Sequence, residues 1–121
     1  MVNTHIIGQT AENIAAEYLT ENRIQIIDRN YRTRFGEIDI IAKDKKELIF
    51  VEVKAKNTSR FGKPYEMVTK RKKRKLRMTA KSYLQDSRID SGNTPWRIDV
   101  ISIDYETGKI EWLKNAVQQD E

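Results

Sequence analysis

Apolar and polar positions along the chain alternate in a way that predicts a helix, three strands, a second helix and two further strands. Ala11, Ile14, Ala15, Tyr18 and Leu19 recur at three- and four-residue steps, giving one apolar stripe on a helix that Thr10 caps and that runs to about Asn22. Ile24 to Ile27, continuing through Arg29-Asn30-Tyr31-Arg32, is the first strand; Gly36 marks a turn, and Glu37 to Ala42 is the second. Lys43 to Lys46 forms a charged hairpin turn into a third strand, Glu47 to Ala55. Asn57 to Pro64 reads as a loop, Tyr65 to Gln85 as a long helix and Asp86 to Pro95 as a second loop. Trp96 to Asp104 is the fourth strand, Glu106-Thr107-Gly108 a turn, and Lys109 to Leu113 a short fifth strand.

The order α-β-β-β-α-β-β implies an antiparallel meander followed by a helical crossover, which brings the fourth strand parallel to a meander strand in one mixed sheet. An α/β fold follows. At 121 residues the chain has the size of one domain, spanning residues 1–121, with a polar tail from about residue 116 expected to fray.

The third strand carries the chemistry. Leu48, Phe50, Glu52 and Lys54 share one side and Ile49, Val51 and Val53 the other, so both sides begin apolar, as in an interior strand. A carboxylate and an ammonium at the end of such a strand cost several kcal/mol if unpaired, a cost met by a strong partner or a function. If the second and third strands pair through the Lys43 to Lys46 turn, Asp39 and Glu52 fall near the same end. Pleat phase can put both on one face. Two carboxylates that close repel unless a cation sits between them, and Mg2+ or Mn2+ suits their hard oxygens. Lys54 would hold or help deprotonate an attacking water, and the Val53 carbonyl is a further candidate ligand. The competing reading is a set of solvated cross-strand Glu–Lys pairs, worth roughly 0.2–1 kcal/mol each.

Glu12 has two readings: a first-turn acid that complements the helix macrodipole, or a ligand reaching the metal through water. Asp99 is read as a partner of Arg97 or a support from the fourth strand, and not as a ligand. Trp96 and Trp112 are read as core or sheet-edge packing, or, if exposed, as stacking surfaces for an unpaired base. His5 is assigned to a mobile end.

Composition narrows the classes. Hydrophobic residues make up 38% and charged residues 34%, yet the apolar ones cluster periodically, unlike those of a disordered chain. With no cysteine and one histidine, disulfides, thiolate metal sites and a multi-histidine zinc site within one chain are excluded. No apolar run reaches the roughly 18 residues a membrane span needs, and Met1 to Thr10 lacks a secretory pattern, so a soluble cytoplasmic protein is expected. The net charge is +5, but Lys70–Arg77 alone holds seven basic residues, so the basicity is local and suggests a polyanion-facing patch. By helical phase Val68, Lys72, Leu76, Ala80 and Tyr83 share the apolar face. Lys72 therefore either snorkels or reaches a buried anion. Lys73, Lys75 and Arg77 point away and suit phosphate contacts, or form a solvated face.

Gly8-x-x-x-Glu12-x-x-Ala15-x-x-Tyr18-Leu19, Arg29-Asn30-Tyr31-Arg32, Gly36 to Ala42, Phe50-Val51-Glu52-Val53-Lys54, Arg71-Lys72 and Arg97-Ile98-Asp99-Val100 together resemble the bacterial YraN-like family over nearly the whole chain. That family looks like a member of the restriction-endonuclease-like superfamily and is similar in core layout to archaeal Holliday junction resolvases. The resemblance implies a mixed sheet flanked by helices and a site of Asp39, Glu52, Lys54 and Glu12. The implied activity is divalent-metal-dependent phosphodiester hydrolysis in DNA, ahead of RNA, with branched or flapped DNA as a substrate class. Analogy with junction resolvases adds the expectation of a homodimer. Ile38 stands where the superfamily often has proline, Ile98 where phenylalanine is common and Lys73 where glutamine is common. Lys56 stands where arginine is common, and as a point charge it would grip a phosphate less firmly than a bidentate guanidinium. The alternative function is a nucleic-acid-binding or partner-binding module on the same fold without turnover.

Overall fold

A computed structural model of the chain describes residues 10–56 and 68–119. Helix α1 spans Ala11–Glu21, with the Thr10 side chain accepting the Asn13 N–H at 3.2 Å as its N-cap. It ends in a left-handed residue, Arg23 at φ 66°. The Arg23 N–H there bonds the Thr20 carbonyl, and the Ile24 N–H bonds the Leu19 carbonyl at 2.9 Å. This reciprocal closure satisfies the last carbonyls and packs Ile24 with Leu19 in the core. Helix α2, Lys70–Asp86, closes the same way: Arg88 is at φ 56°, Ile89 N–H bonds the Leu84 carbonyl, and the two apolar side chains meet in the core.

Between and after the helices, strands β1 (Gln25–Thr33), β2 (Gly36–Asp44), β3 (Glu47–Lys56), β4 (Trp96–Asp104) and β5 (Ile110–Val117) form one sheet in the order β1-β2-β3-β4-β5. All neighbours are antiparallel except β3 and β4, which are parallel. The expected α/β mixed sheet flanked by helices is what the chain forms. Each face carries its own core. On the α2 side Ile41, Leu48, Phe50, Ile98 and Val100 pack with Leu76, Ala80 and Leu84; on the α1 side Ala42, Ile49, Val51, Ile101 and Ile103 pack with Ile14, Ala15 and Leu19. Phe50 is fully buried and sits edge-on to both Tyr83 and Trp96, with centroids 5.7 and 5.8 Å away.

Two boundaries move by several residues from the sequence reading. Val68 and Thr69 are not helical; Thr69 caps α2 by accepting the Lys72 N–H, so the helix starts at Lys70 and not at Tyr65, which itself lies outside the described residues. β5 continues past Leu113 to Val117, because a register shift between Ile98 and Val100 lets Val117 pair with Ile98 and bury. The tail expected to fray from about residue 116 therefore contains the end of a strand. The Asn57 to Pro64 loop and His5 lie outside the described residues. Among the described residues no helix is long and apolar enough to cross a membrane.

Candidate active site

The site forms where β2 and β3 come apart. Their last paired residues are Ile40 and Val51, so Asp39 and Glu52 follow directly past the same end of the β2–β3 ladder, inside strands that continue beside β1 and β4. Ladder hydrogen bonding does not continue there; instead Asp39 Oδ2 accepts the Val53 N–H at 2.8 Å. A side-chain carboxylate thus substitutes for the missing backbone acceptor and is fixed between the strands. On the other flank of β2 the Asn30–Asp39 pair is skipped, and Asn30 takes a left-handed φ of 55°. Strict alternation also fails here. Ile38 packs in the α2-side core and Ile40 in the α1-side core, although they are two residues apart.

Asp39 stands between two groups of charges. Toward α1, carboxylate oxygens of Glu12, Glu37 and Asp39 all lie within 4.8 Å of one another. With its amide nitrogen turned toward them, Asn30 donates to both Glu12 oxygens at 2.8 and 3.1 Å and to Glu37 Oε1 at 3.0 Å. Arg32 Nε adds an ion pair to Glu37 at 3.1 Å. Burial, then the nearby charges of Asp39 and Glu37, push the Glu12 carboxyl above its ordinary value, partly offset by Arg29.

Toward α2, Glu52 is buried at 4% exposure and meets Lys72 Nζ at 3.2 Å and Lys54 Nζ at 3.6 Å. Its pKa is pushed up to about 7, first by burial, then by its hydrogen bond to and charge repulsion from Asp39, with the two lysines pulling the other way. Burial and a like charge thus outweigh two cations.

The site residues read from sequence distribute as follows. Asp39, Glu52, Lys54 and Glu12 come together, and Lys72, on the core face of α2, reaches a buried anion as one of its two readings required. Val53 contributes its N–H to Asp39, and its side chain packs in the α1-side core. Lys75 is exposed, as expected of an outward-facing side chain. Lys73 and Arg77 do not simply point away: they lie at helical steps bordering Leu76 and Ala80 and are half-buried, with Arg77 Nη1 buried and without a hydrogen-bond partner among the described residues. Lys56 ends β3, on the Glu52–Lys54 side by alternation, and its carbonyl accepts the Tyr105 N–H. Glu37 and Asn30 are additions that the sequence reading passed over; the signal for Glu37 was its two-residue spacing from Asp39 on one strand. Trp96 is core, and Trp112 packs against the α1-side core with its ring N–H on Asp99, Tyr18 edge-on at 6.2 Å and the Lys114 ammonium 4.5 Å from its ring centroid, so both serve packing, the first of the two readings. Asp99 pairs with Arg97 and stays away from the carboxylate cluster's ligand set.

The donor chemistry fits a hard divalent cation. Among the described residues, the grouping close enough to share an ion is made only of carboxylates, the set that suits Mg2+ or Mn2+ over softer metals.

Comparison with known sequences agrees with this reading of the family. The model of the uncharacterised protein family UPF0102 matches residues 11–103, which include every carboxylate and lysine of the site. A UPF0102 protein of Aliivibrio fischeri strain MJ11 is 39% identical over 115 residues, covering 95% of this chain and 94% of that protein. One from Fusobacterium nucleatum is 38% identical over 120 residues, covering 99% and 98%. Another from Legionella pneumophila strain Philadelphia 1 is 41% identical over 109 residues, covering 90% and 92%. On that coverage, and with the YraN-like motifs in place, the chain belongs to the UPF0102 family.

Proposed function

We propose that the protein is a divalent-metal-dependent nuclease that hydrolyses phosphodiester bonds in DNA, with branched or flapped DNA as the favoured class. The observation that carries this reading is the meeting, where the β2–β3 ladder opens, of the Glu12–Glu37–Asp39 carboxylates with the Glu52–Lys54–Lys72 group. Glu12, Glu37 and Asp39 would hold Mg2+ or Mn2+, with Glu52 adjoining through Asp39. When bound, the ion supplies positive charge to the phosphate and makes a bound water more acidic.

The chain's own groups do the rest. The Val53 N–H fixes Asp39 in place between Glu12 and Glu52, the two acids that adjoin it. Lys54, held at 3.6 Å from Glu52, orients the attacking water and meets negative charge as it grows on the phosphate. Lys72 lies on the same carboxylate from the helix side and counters a second phosphate oxygen. Attack of the water oxygen on phosphorus breaks one P–O ester bond, and the leaving oxygen takes a proton from solvent, giving a phosphate monoester and a hydroxyl end. Glu52, poised near neutrality, lies within this group as an acceptor for the water's proton.

A second reading has its own support. The basic side chains exposed along α2, Arg71, Arg74 and Lys75, suit a nucleic-acid-binding module on the same fold that does not turn over. Incubation with labelled linear, flapped and four-way-junction DNA separates the two. Metal-dependent cleavage lost in both Asp39→Ala and Lys54→Ala supports the nuclease; cleavage unchanged in those variants, or binding with no cleavage in any metal, contradicts it.

A further inference from the structure

Two cavities meet beside α2. One of about 750 Å3 lies between the β1–β2 hairpin and the second half of the helix, and one of about 270 Å3 lies between the hairpin tip and its first half. Arg34, Phe35 and Met78 line both, so the two form one continuous cleft. Among the described residues Arg32, Arg34, Arg71, Arg74, Lys75 and Lys81 border it, against a single lining carboxylate, Asp86, that already accepts the Tyr31 hydroxyl at 3.2 Å. Arg71, Arg74 with Lys75, Met78 and Lys81 follow one another along successive turns, each rising about 5.4 Å. The cleft therefore offers a chain of positive charge and little to repel an anion.

Its geometry is fixed by the hairpin tip. Gly36 takes φ +156°, a conformation that side chains rarely adopt, and its Cβ position faces Thr79 Oγ1 at 3.4 Å and the Lys75 Cβ at 3.6 Å, so the tip lies in van der Waals reach of α2. Phe35 N–H donates to Thr33 Oγ1 at 3.1 Å, and the Arg34 guanidinium lies 4.9 Å from the Phe35 ring centroid. Phe35 packs in neither core cluster. The cleft also joins the carboxylate site: Arg32, on its rim, pairs with Glu37, and Lys72, next to Arg71, pairs with Glu52.

A row of cations recognises phosphates without regard to strand number, and a ring at the lip of the row adds nothing to gripping a duplex backbone. An unpaired base, in contrast, stacks on such a ring. We propose that this cleft binds single-stranded nucleic acid, with phosphates along Arg71, Arg74, Lys75 and Lys81 and an unpaired base stacked on the Phe35–Arg34 tip. Its role as a substrate track rests on the nuclease reading, for which it selects strands with an unpaired segment over continuous duplex.

The test measures binding alone, so it stands or falls apart from cleavage. The full chain in EDTA is titrated, by fluorescence anisotropy, into labelled single-stranded DNA, RNA of the same sequence and blunt duplex DNA. Phe35→Ala is expected to weaken at least one single strand by about fivefold or more, the low end for one stacked base, and duplex by less than about twofold. Phe35→Leu, which keeps an apolar side chain but not the ring, behaves like Phe35→Ala; Phe35→Trp retains affinity. Arg74→Glu with Lys75→Glu weakens all three ligands and flattens their salt dependence. Folded Phe35→Leu protein that binds every ligand as the parent does, or that loses single strand and duplex equally, overturns the proposal.

Discussion

Asp99 and Glu52 are buried acids on the neighbouring central strands β4 and β3, and their surroundings differ in kind. Asp99, fully buried, accepts both of its Arg97 contacts at 3.0 and 3.1 Å, the Trp112 ring N–H at 2.8 Å and the Asn115 backbone N–H at 2.8 Å. Arg97 in turn pairs with Glu47, and these partners raise its pKa against the opposing effect of burial. Glu52 has two flexible lysines and a second carboxylate beside it, and burial raises its pKa to about 7. The backbone settings are nevertheless alike. Asp99 sits at a register shift facing Asn115 at φ 53° on the edge strand β5, as Asp39 sits at a skipped pair facing Asn30 at φ 55° on the edge strand β1. The β5 flank of the sheet thus uses a carboxylate to close a strand irregularity completely. The other leaves acids crowded, which a folded chain tolerates where a cation or substrate relieves them.

The largest way to break the comparison is Asp99→Ala. It strands a buried guanidinium and removes a ring and a backbone acceptor, and should cost about 3–5 kcal/mol in urea unfolding. Lys54→Ala should instead leave stability within about 1 kcal/mol while lowering metal-dependent cleavage about 10²–10³-fold in single-turnover assays.

Next in size is the pH dependence. Because the folded Glu52 binds its proton up to about pH 7 while an ordinary carboxylate releases it near 4.5, the folded state holds more protons between these values. Its contribution to stability therefore falls as pH rises through that window and is fully lost above it, by about 1–3 kcal/mol. Denaturation of Glu52→Gln, measured across pH 4–8, should lack this slope relative to the parent. Mg2+ at 100 times its dissociation constant should stabilise by about 2.7 kcal/mol, read as a rise in melting temperature that Asp39→Asn removes. The smallest effect is expected from Thr10→Ala, about 1 kcal/mol, through loss of the cap one residue before Ala11 and two before Glu12.

Much of this was legible in the chain. Thr10 and the Ala11 to Leu19 stripe gave α1, and the two-sided apolar run of β3 placed Glu52 and Lys54 on an interior strand; they do not end it, because β3 runs on beside β4 to Lys56 and only its pairing with β2 stops before Glu52. Asp39 was legible through the hairpin register. Glu37 carried a signal in its two-residue spacing from Asp39, but its meeting with Asn30 and Glu12 was not legible, because that depends on Asn30 entering the left-handed region beside the break in alternation at Asp39; an alternation count assumes neither happens. The end of β5 was missed for a related reason. Lys114 and Asn115 look like a tail until the shifted register brings Val117 back onto Ile98. Lys73 and Arg77 were placed outward because a helix face was treated as two halves, whereas residues at the border are half-buried.

The central claim is that the crowded acids at the β2–β3 opening are a metal site, and the most direct measurement is anomalous diffraction from crystals soaked in Mn2+. The account predicts a peak within ligand distance of Asp39, Glu12 and Glu37 that vanishes in Asp39→Asn. An ordered Glu52–Lys54–Lys72 group with no manganese beside Asp39 at saturating concentration would contradict it.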